Sequence, residues 1–242
     1  MTIRVFQKGF NYSQDGPGNR LVYHLQGCNL HCPWCSNPEG LCHSGGTECN
    51  VDELVTEAKR SSMLFFDGGG VTLTGGEVTM QFDAVKELLS RLHDMGIHTC
   101  IETNGIAKRL SELFPMLDLL IMDIKHYDPK VHCAFTGLQN VLTIRNIEVA
   151  LYAKQALALR IPLIGGFNAS EEDARGFAEM FRELGIRDNA TIELLPYHEY
   201  GKDKYKSLGM EYTMTDRAWI TPEQLRTFSE IIEAEGFRLI HT

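Results

Sequence analysis

Short apolar runs alternate with amphipathic stretches along most of this chain. The apolar runs have the length of buried strands, and the amphipathic stretches repeat their apolar residues at helical spacing. Asn50 fits a helix N-cap, and Gly96 fits the residue just beyond a helix end. The predicted strands are 21–26, 71–74, 98–102, 119–124, 157–164 and 191–195, and the predicted helices are 51–63, 83–95, 107–114, 141–155, 171–184 and 222–235.

This alternation predicts an α/β fold in which parallel strands are joined by crossover helices. Six strands are fewer than the eight of a closed barrel, so we predict a partial (β/α)6 TIM-like barrel that is open laterally. We expect one domain over residues 1–242, because no linker or repeat interrupts the pattern. In parallel folds the site lies at the carboxyl ends of the strands, where this chain carries polar or glycine-rich groups.

Three cysteines in nine residues directly follow the first predicted strand. Cys28, Cys32 and Cys35 have the spacing C-x3-C-x2-C, which suits convergence on one metal centre better than disulfides. Bound to a four-iron cluster, they would leave one iron open to a ligand that is not protein. A zinc site is the alternative, because a fourth protein ligand is available nearby. The candidates for that ligand are His31, Cys42 and His43.

Composition narrows the class of protein. The formal net charge is −9 and the pI is about 5.5, which disfavours a nucleic-acid or anionic-membrane partner. The amino terminus lacks the apolar core of a signal peptide, and no run of about twenty apolar residues could cross a bilayer. We expect a cytoplasmic protein, in which seven cysteines indicate metal or redox chemistry rather than disulfides. Cys100 and Cys133, which lie singly in a predicted strand and helix, are interpreted as packing residues.

The cysteine spacing, with Trp34 as an aromatic residue before the last cysteine, resembles the signature of radical S-adenosylmethionine enzymes. In that family the open iron of a 4Fe-4S cluster is chelated by the amino and carboxylate groups of S-adenosylmethionine. Gly75-Gly76-Glu77 resembles the family motif that binds the methionine amino group. The resemblance implies that loop 27–36 holds the cluster, and that Trp34 and Ser36 border the cofactor.

Further stretches resemble the glycyl-radical-enzyme activating enzymes, and most closely those of pyruvate formate-lyase. Asp123-Ile124-Lys125 is similar to their D-L-K element, and 194–202 is similar to their L-L-P-Y-H-x-x-G-K element. Glu102-Thr103-Asn104-Gly105 stands where they have D-T-N-G, with a longer acidic side chain. The resemblance implies cofactor contacts by Gly75, Gly76, Glu77, Glu102, Asn104, Asp123, Ile124, Lys125 and His198, and a monovalent cation bound by Glu102, Thr103 and Asp123. Arg160 lies within a predicted strand, where a buried guanidinium needs an anionic partner such as the cofactor carboxylate.

The same resemblance implies a reaction and its partners. The reduced cluster would cleave S-adenosylmethionine, and the resulting 5′-deoxyadenosyl radical would remove a Cα hydrogen from one glycine of a partner glycyl radical enzyme. A flavodoxin or ferredoxin is the expected electron donor, and a monomer is the expected state. The segment 200–212 is a candidate for gripping the partner peptide, together with Asp15, Gly16, Pro17, Gly18 and Arg20.

One departure from this family concerns length. Many of its members insert a ferredoxin-like domain with two further clusters after the first cysteine loop, and the chain after Cys35 is too short for one. Cys42 and Cys49 are either remnants of such an insert or ligands of another metal. Two other functions stay open: radical chemistry on a small molecule, and electron transfer by an iron–sulfur carrier.

Overall fold

The computed structural model describes residues 1–240. In this part of the chain the strands are β1 Thr2–Tyr12, β2 Asn19–Leu25, β3 Thr47–Asn50, β4 Gly70–Gly75, β5 His98–Thr103, β6 Leu119–Asp123, β7 Leu157–Leu163, β8 Thr191–Pro196 and β9 Leu239–Ile240. The α-helices are α1 Val51–Arg60, α2 Phe82–Asp94, α3 Pro129–Thr136, α4 Val141–Tyr152, α5 Glu171–Glu183, α6 Lys202–Ser207 and α7 Pro222–Ala234. No helix among these residues is long and apolar enough to cross a membrane.

The chain forms two compact units. The first contains Met1–Asn29, Asn37–Thr103 and Ala107–Ile121. The second contains Leu30–Ser36, Asn104–Ile106 and the chain from Met122 onwards. The expectation of one functional domain over the whole chain stays a prediction.

The first unit is built on a sheet that combines antiparallel and parallel pairs. β1 runs antiparallel to both β3 and β2, whereas β2, β4 and β5 are mutually parallel. Leu25 pairs with Gly75, so β2 and β4 end side by side. Helix α1 begins with a capping box at Asn50, as the sequence predicts. The carboxyl ends of three parallel strands therefore lie at one edge of this unit.

The second unit contains the parallel strands β7, β8 and β9. Arg160 of β7 stands directly opposite Glu193 of β8. Helices α5 and α7 pack through buried aromatic rings, with the centroids of Phe177 and Phe228 5.9 Å apart. A buried apolar layer thus supports the strands that carry the polar pair.

The fold class predicted from the sequence is confirmed. The fold is α/β, and its sheet is mostly parallel and open rather than closed. Each of the six predicted strands is present, with its ends within two residues of the expected positions. The predicted helices 51–63, 83–95, 141–155, 171–184 and 222–235 correspond to α1, α2, α4, α5 and α7.

Other elements differ from the prediction. The helix predicted over 107–114 is wrong, because two short 3-10 turns, Leu110–Glu112 and Phe114–Met116, occupy this region. Pro115 lacks an N–H group and disfavours a helical residue before it, which prevents a continuous helix here. The segment Thr2–Tyr12, for which the sequence analysis predicts no strand, forms β1, and the segment 200–212 contains α6.

Candidate active site

Three backbone segments meet where β2 and β4 end. The N–H of Gly76 donates to the carbonyl of Leu25 at 2.9 Å, and the N–H of Gly27 donates to the carbonyl of Gly40 at 3.0 Å. A Cβ atom on Gly76 would overlap the carbonyl oxygen of Gly27, and Gly75 has a positive φ of 117°. These glycines bring the chain that precedes Cys28 against the turn that follows β4.

Glu77 anchors this turn from inside the first unit. Its side chain is fully buried, and Oε1 accepts hydrogen bonds from the hydroxyls of Thr79 and Thr103, both at 2.7 Å. The N–H of Thr79 donates to the same oxygen at 3.0 Å. On the neighbouring strand, Glu102 accepts a hydrogen bond from the Thr74 hydroxyl at 3.0 Å. Hydrogen bonding of this kind stabilises a carboxylate in a buried environment.

The buried side chain of Arg20 supports the turn at Asp15–Gly18 through hydrogen bonds. Its side chain is 0% exposed; Nε donates to Thr72 Oγ1 at 2.6 Å, and Nη1 donates to the carbonyl of Pro17 at 3.2 Å. The Thr72 hydroxyl in turn donates to the carbonyl of Asp15 at 2.7 Å. Burial lowers the pKa of Arg20 from its usual value. The enclosed guanidinium supports the turn from inside the first unit, and the predicted contact of Arg20 with a partner peptide stays a prediction.

In the second unit, the segment Leu30–Ser36 is held through its main chain. The N–H of His31 donates to the carbonyl of Thr136 at 2.9 Å, at the end of α3. The hydroxyl of Tyr205, on α6, donates to the carbonyl of Cys32 at 3.3 Å. These bonds use backbone carbonyls and amides, so they do not involve the sulfur atom of Cys32.

Side chains and a further glycine complete the packing of this segment. The buried Trp34 ring lies 4.7 Å from the ring of Phe167. A Cβ atom on Gly201 would overlap the carbonyl oxygen of Cys35 and approach Ser36. The segment is therefore closely packed on both sides.

Cys32 lies in a buried environment that contains two opposite charges. Burial raises the pKa of the Cys32 thiol to about 12, while the nearby Lys125 ammonium acts in the opposite direction and Asp123 raises it further. Lys125 Nζ lies 2.8 Å from Asp123 Oδ2, and both groups are largely removed from solvent. A thiolate at this position requires compensation by positive charge, which a bound metal centre provides.

The strand arginine predicted to need an anionic partner has one within the protein. Arg160 Nε donates to Glu193 Oε2 at 2.8 Å, and both side chains are buried. Glu193 is a residue that the sequence reasoning missed. Its signal was a single acid within the apolar run of β8, at a position that only the strand register pairs with Arg160.

Asn168 is a second residue that the sequence did not identify. Its fully buried Nδ2 donates to the carbonyls of Lys125 and Pro162, both at 2.7 Å, and its Oδ1 accepts from the N–H of Ile164 at 2.8 Å. It therefore joins the main chain that follows β6 to that of β7. Its position in the glycine-rich stretch 165–168 predicts only a loop.

The remaining predicted site residues have local partners. His198 accepts a hydrogen bond from the N–H of Tyr200 at 3.3 Å, and the two rings stack at 4.0 Å. Burial lowers the pKa of His198, so its imidazole is neutral at neutral pH. Asn104 Oδ1 accepts from the N–H of Ile106 at 2.9 Å, and the main-chain N–H of Ile124 donates to the carbonyl of Arg160 at 2.8 Å.

Comparison with known proteins identifies the family. The model of the Radical SAM superfamily matches residues 22–203, well over half of the chain. The chain is 33% identical to the choline trimethylamine-lyase activating enzyme of Oleidesulfovibrio alaskensis, over 92% of each protein. It is 30% identical to the pyruvate formate-lyase 1-activating enzyme of Escherichia coli K12, over 93% of each. The chain belongs to the glycyl-radical-enzyme activating enzymes of the radical SAM superfamily.

Solved structures of radical SAM enzymes have the same fold. A domain of the pyruvate-formate lyase-activating enzyme from Bacteroides vulgatus is 28% identical, with a TM-score of 0.58 over 72% of this chain and 98% of that one. A radical SAM methyltransferase from Sphaerobacter thermophilus has a TM-score of 0.68 over 99% of this chain and 76% of that one. At 16% identity, the latter likeness concerns the fold alone.

The relatives differ in length within the aligned region. The alignment with the choline trimethylamine-lyase activating enzyme spans 286 positions, more than the 242 residues of this chain. The alignment with the pyruvate formate-lyase 1-activating enzyme spans 231 positions. The first relative therefore contains internal residues that this radical SAM activating enzyme lacks.

Radical SAM enzymes require a 4Fe-4S cluster and S-adenosylmethionine, and the donors in this chain fit the cluster. Cys28 and Cys32 are buried, and Cys35 is half-buried. Within residues 1–240, no three His, Cys, Asp or Glu side chains are grouped closely enough for a single metal ion. A four-iron cluster does not need such a group, because each cysteine binds a separate iron.

Replacing Gly76 by alanine tests the backbone contact at the ends of β2 and β4. Overpacking against the Gly27 carbonyl should cost about 1–3 kcal/mol of unfolding free energy, measured by urea denaturation of the cluster-free protein. The iron content after reconstitution should also fall. Gly9→Ala is the control, because a Cβ there meets nothing within 4 Å. Equal stability of the two variants would contradict the account.

Replacing Glu193 by leucine tests the buried ion pair. The change removes the Glu193 carboxylate from the buried Arg160 guanidinium. It should lower the free energy of unfolding, measured by urea denaturation, by about 3–5 kcal/mol. The double variant Arg160→Met/Glu193→Leu should recover most of that loss, because neither charge then remains. A double variant as unstable as the single one would show that the charge pair is not the source of the effect.

Proposed function

We propose that this chain activates a glycyl radical enzyme through Cys28, Cys32 and Cys35, and that one catalytic domain without a ferredoxin-like insert performs the reaction. The observation that carries the proposal is the placement of three cysteines, two buried and one half-buried, directly after β2. The chain that carries them aligns over 93% of its length with an activating enzyme. When bound, the cluster and S-adenosylmethionine supply reductive cleavage of a carbon–sulfur bond, which yields methionine and a 5′-deoxyadenosyl radical.

The cysteine segment and its charged neighbours would hold the cluster. Backbone hydrogen bonds from His31 and to Cys32 keep the segment in place without using the sulfur atoms. The Lys125 ammonium favours the thiolate of Cys32, and Asp123 keeps that ammonium in position at 2.8 Å. Trp34, packed on Phe167, shields this part of the segment from water.

The turn after β4 would bind the amino group of the methionine moiety. Main-chain carbonyls at Gly75 and Gly76 are suitable acceptors for an ammonium group, and the buried Glu77 fixes the turn that presents them. Rigid support of this kind reduces the cost of ordering the site when the cofactor binds.

The remaining cofactor contacts are assigned from the strand ends. Neutral His198 suits the adenosine portion, and Arg160, oriented by Glu193, suits the carboxylate. Trp34 and Ser36 would border the cofactor. Further contacts are proposed for Glu102, Asn104, Asp123, Ile124 and Lys125, with a monovalent cation at Glu102, Thr103 and Asp123.

Pyruvate formate-lyase is the first candidate for the partner. Its activating enzyme aligns with this chain over 231 positions, without the additional internal length of the choline trimethylamine-lyase relative. The run 194–202 supports the same choice. We further propose a monomer that works in the cytoplasm and receives electrons from a flavodoxin or ferredoxin.

The test of the cluster assignment compares two cysteines. After anaerobic reconstitution and reduction, Cys32→Ser should abolish 5′-deoxyadenosine formation, because the cluster loses one of three ligands. Cys42→Ser should retain 5′-deoxyadenosine formation, since Cys42 is exposed and lies outside the C-x3-C-x2-C segment.

With pyruvate formate-lyase present, the wild-type protein should also generate a glycyl doublet in the EPR spectrum. Full cleavage by Cys32→Ser would contradict the proposal.

The turn at Asp15–Gly18 should affect the partner rather than the cofactor. Asp15 accepts a hydrogen bond from Asn11 at 2.5 Å, which holds its carboxylate on the turn. Replacing Asp15 by alanine should lower glycyl-radical formation about tenfold, as expected when a reacting segment is misplaced. Uncoupled S-adenosylmethionine cleavage, measured without the partner, should be unchanged. Equal loss of both activities would show that the turn serves the cofactor instead.

A further inference from the structure

Strand β1 has an edge that is open over more than half of its length. β3 pairs only with Thr2–Val5, whereas β2 pairs with β1 as far as Tyr12. Among the described residues 1–240, no second strand lies beside residues 6–12 of β1. The outward N–H and C=O groups of such an edge are a template for pairing with another chain.

The open stretch has a register irregularity and one charged residue near its start, and it carries none of the features that normally protect an edge after Lys8. Natural edges are blocked by proline, by charged side chains or by bulges. The register irregularity of β1 lies between Val5 and Gln7, at the start of the stretch. Lys8 is the one charged residue of 6–12, and its ammonium is held by Glu57 at 2.9 Å. From Gly9 to Tyr12 there is no charge and no proline.

Exposed aromatic rings accompany the open edge. Phe10 and Tyr12 are 45% and 54% exposed, and their spacing places them on the same face of β1. Their rings lie 6.4 Å from Phe65 and 6.0 Å from Phe66, and Phe66 is itself 52% exposed. A contiguous apolar strip on a protein surface is typical of a protein–protein contact.

A groove lies next to Lys8, a residue of β1 that follows the part paired with β3. This open groove of about 490 Å³ is lined by Lys8 of β1, Cys49 of β3 and the α1 residues Glu53 and Glu57. Lys8 belongs both to the groove and to the open stretch of β1. A segment of another protein therefore has space next to Lys8, at the start of the open stretch of β1.

The other end of the edge leads into the turn that we assign to the partner peptide. The N–H of Ser13, directly after β1, donates to the carbonyl of Gly18 at 3.0 Å. Asn11, within the open stretch, donates to Asp15 on that turn. A segment extended along β1 would reach the Asp15–Gly18 turn without a break.

We propose that residues 6–12 of β1 bind an extended segment of the partner enzyme by strand addition, next to the segment that carries its reactive glycine. This inference rests on the proposed function. Main-chain hydrogen bonds set the register, and the strip of Phe10, Tyr12 and Phe66 selects apolar side chains at alternate positions. A second copy of this chain is disfavoured, because each copy has a formal charge of −9.

Hydrogen exchange of the full chain measures this contact directly, without depending on catalysis. Full-length pyruvate formate-lyase is added anaerobically to the reconstituted protein, and amide exchange is followed by mass spectrometry. Exchange over residues 6–12 should become about tenfold slower, because the outward amides gain hydrogen bonds. Residues 141–152 of α4, far along the chain, serve as an internal reference. A sample of the same mixture, reduced and supplied with S-adenosylmethionine, is examined by EPR to show whether the glycyl radical forms.

Matched substitutions test the aromatic strip. Phe10→Ser and Tyr12→Ser together should weaken binding of pyruvate formate-lyase about tenfold or more, with uncoupled S-adenosylmethionine cleavage unchanged. Tyr152→Ser is the control, because Tyr152 is 91% exposed at the end of α4. If Tyr152→Ser weakens binding of pyruvate formate-lyase as much as the substitutions of Phe10 and Tyr12 do, the assignment of the strip is overturned.

The outcomes separate this inference from the proposed function. Unchanged exchange over residues 6–12 in a mixture that shows the glycyl doublet overturns strand addition and leaves the activase function intact. Absence of the doublet with a fully loaded protein counts against the proposed function itself. Protection of the edge without any partner, together with a doubled mass in sedimentation, would assign the edge to a second copy and overturn the inference.

Discussion

Backbone packing at the ends of β2 and β4 constrains the rest of the site. Gly76 lies so close to the carbonyl of Gly27 that no Cβ fits between them, and the N–H of Glu77 donates to that carbonyl at 2.7 Å. Cys28 is the next residue after Gly27, so this contact determines where the cysteine segment begins. The same turn carries the carbonyls proposed to bind the methionine amino group. This local constraint therefore links Cys28 to the turn that is proposed to bind the cofactor.

Buried charges are the second constraint, and each has a partner. The ammonium of Lys125 is paired with Asp123, and the guanidinium of Arg160 with Glu193. The Glu77 carboxylate accepts hydrogen bonds from hydroxyl and main-chain groups. Isolated charges would be costly in such places, so these pairs hold polar groups at strand ends in defined orientations. The cofactor can then bind to groups that are already ordered.

Features that depend on the local sequence could be predicted, whereas features that depend on partners distant in the sequence could not. The six predicted strands are apolar runs that end at glycine or polar residues, and that pattern needs no knowledge of neighbours. β1 was missed because its residues 6–12 are largely exposed and are extended through pairing with β2. Glu193 and Asn168 became recognisable only when strand register and buried carbonyls were known. The sequence indicated Arg20 only as a candidate for binding the partner peptide, and its buried partners inside the first unit became known from the structure.

The central claim is that hydrogen is taken from a glycine of a partner protein. The direct measurement uses pyruvate formate-lyase labelled with Cα-deuterated glycine, incubated anaerobically with the reconstituted and reduced protein and S-adenosylmethionine. Mass spectrometry of the 5′-deoxyadenosine should then show a single transferred deuterium, and the protein should acquire a glycyl radical. Formation of 5′-deoxyadenosine without deuterium, while the radical accumulates on the partner, would contradict the account.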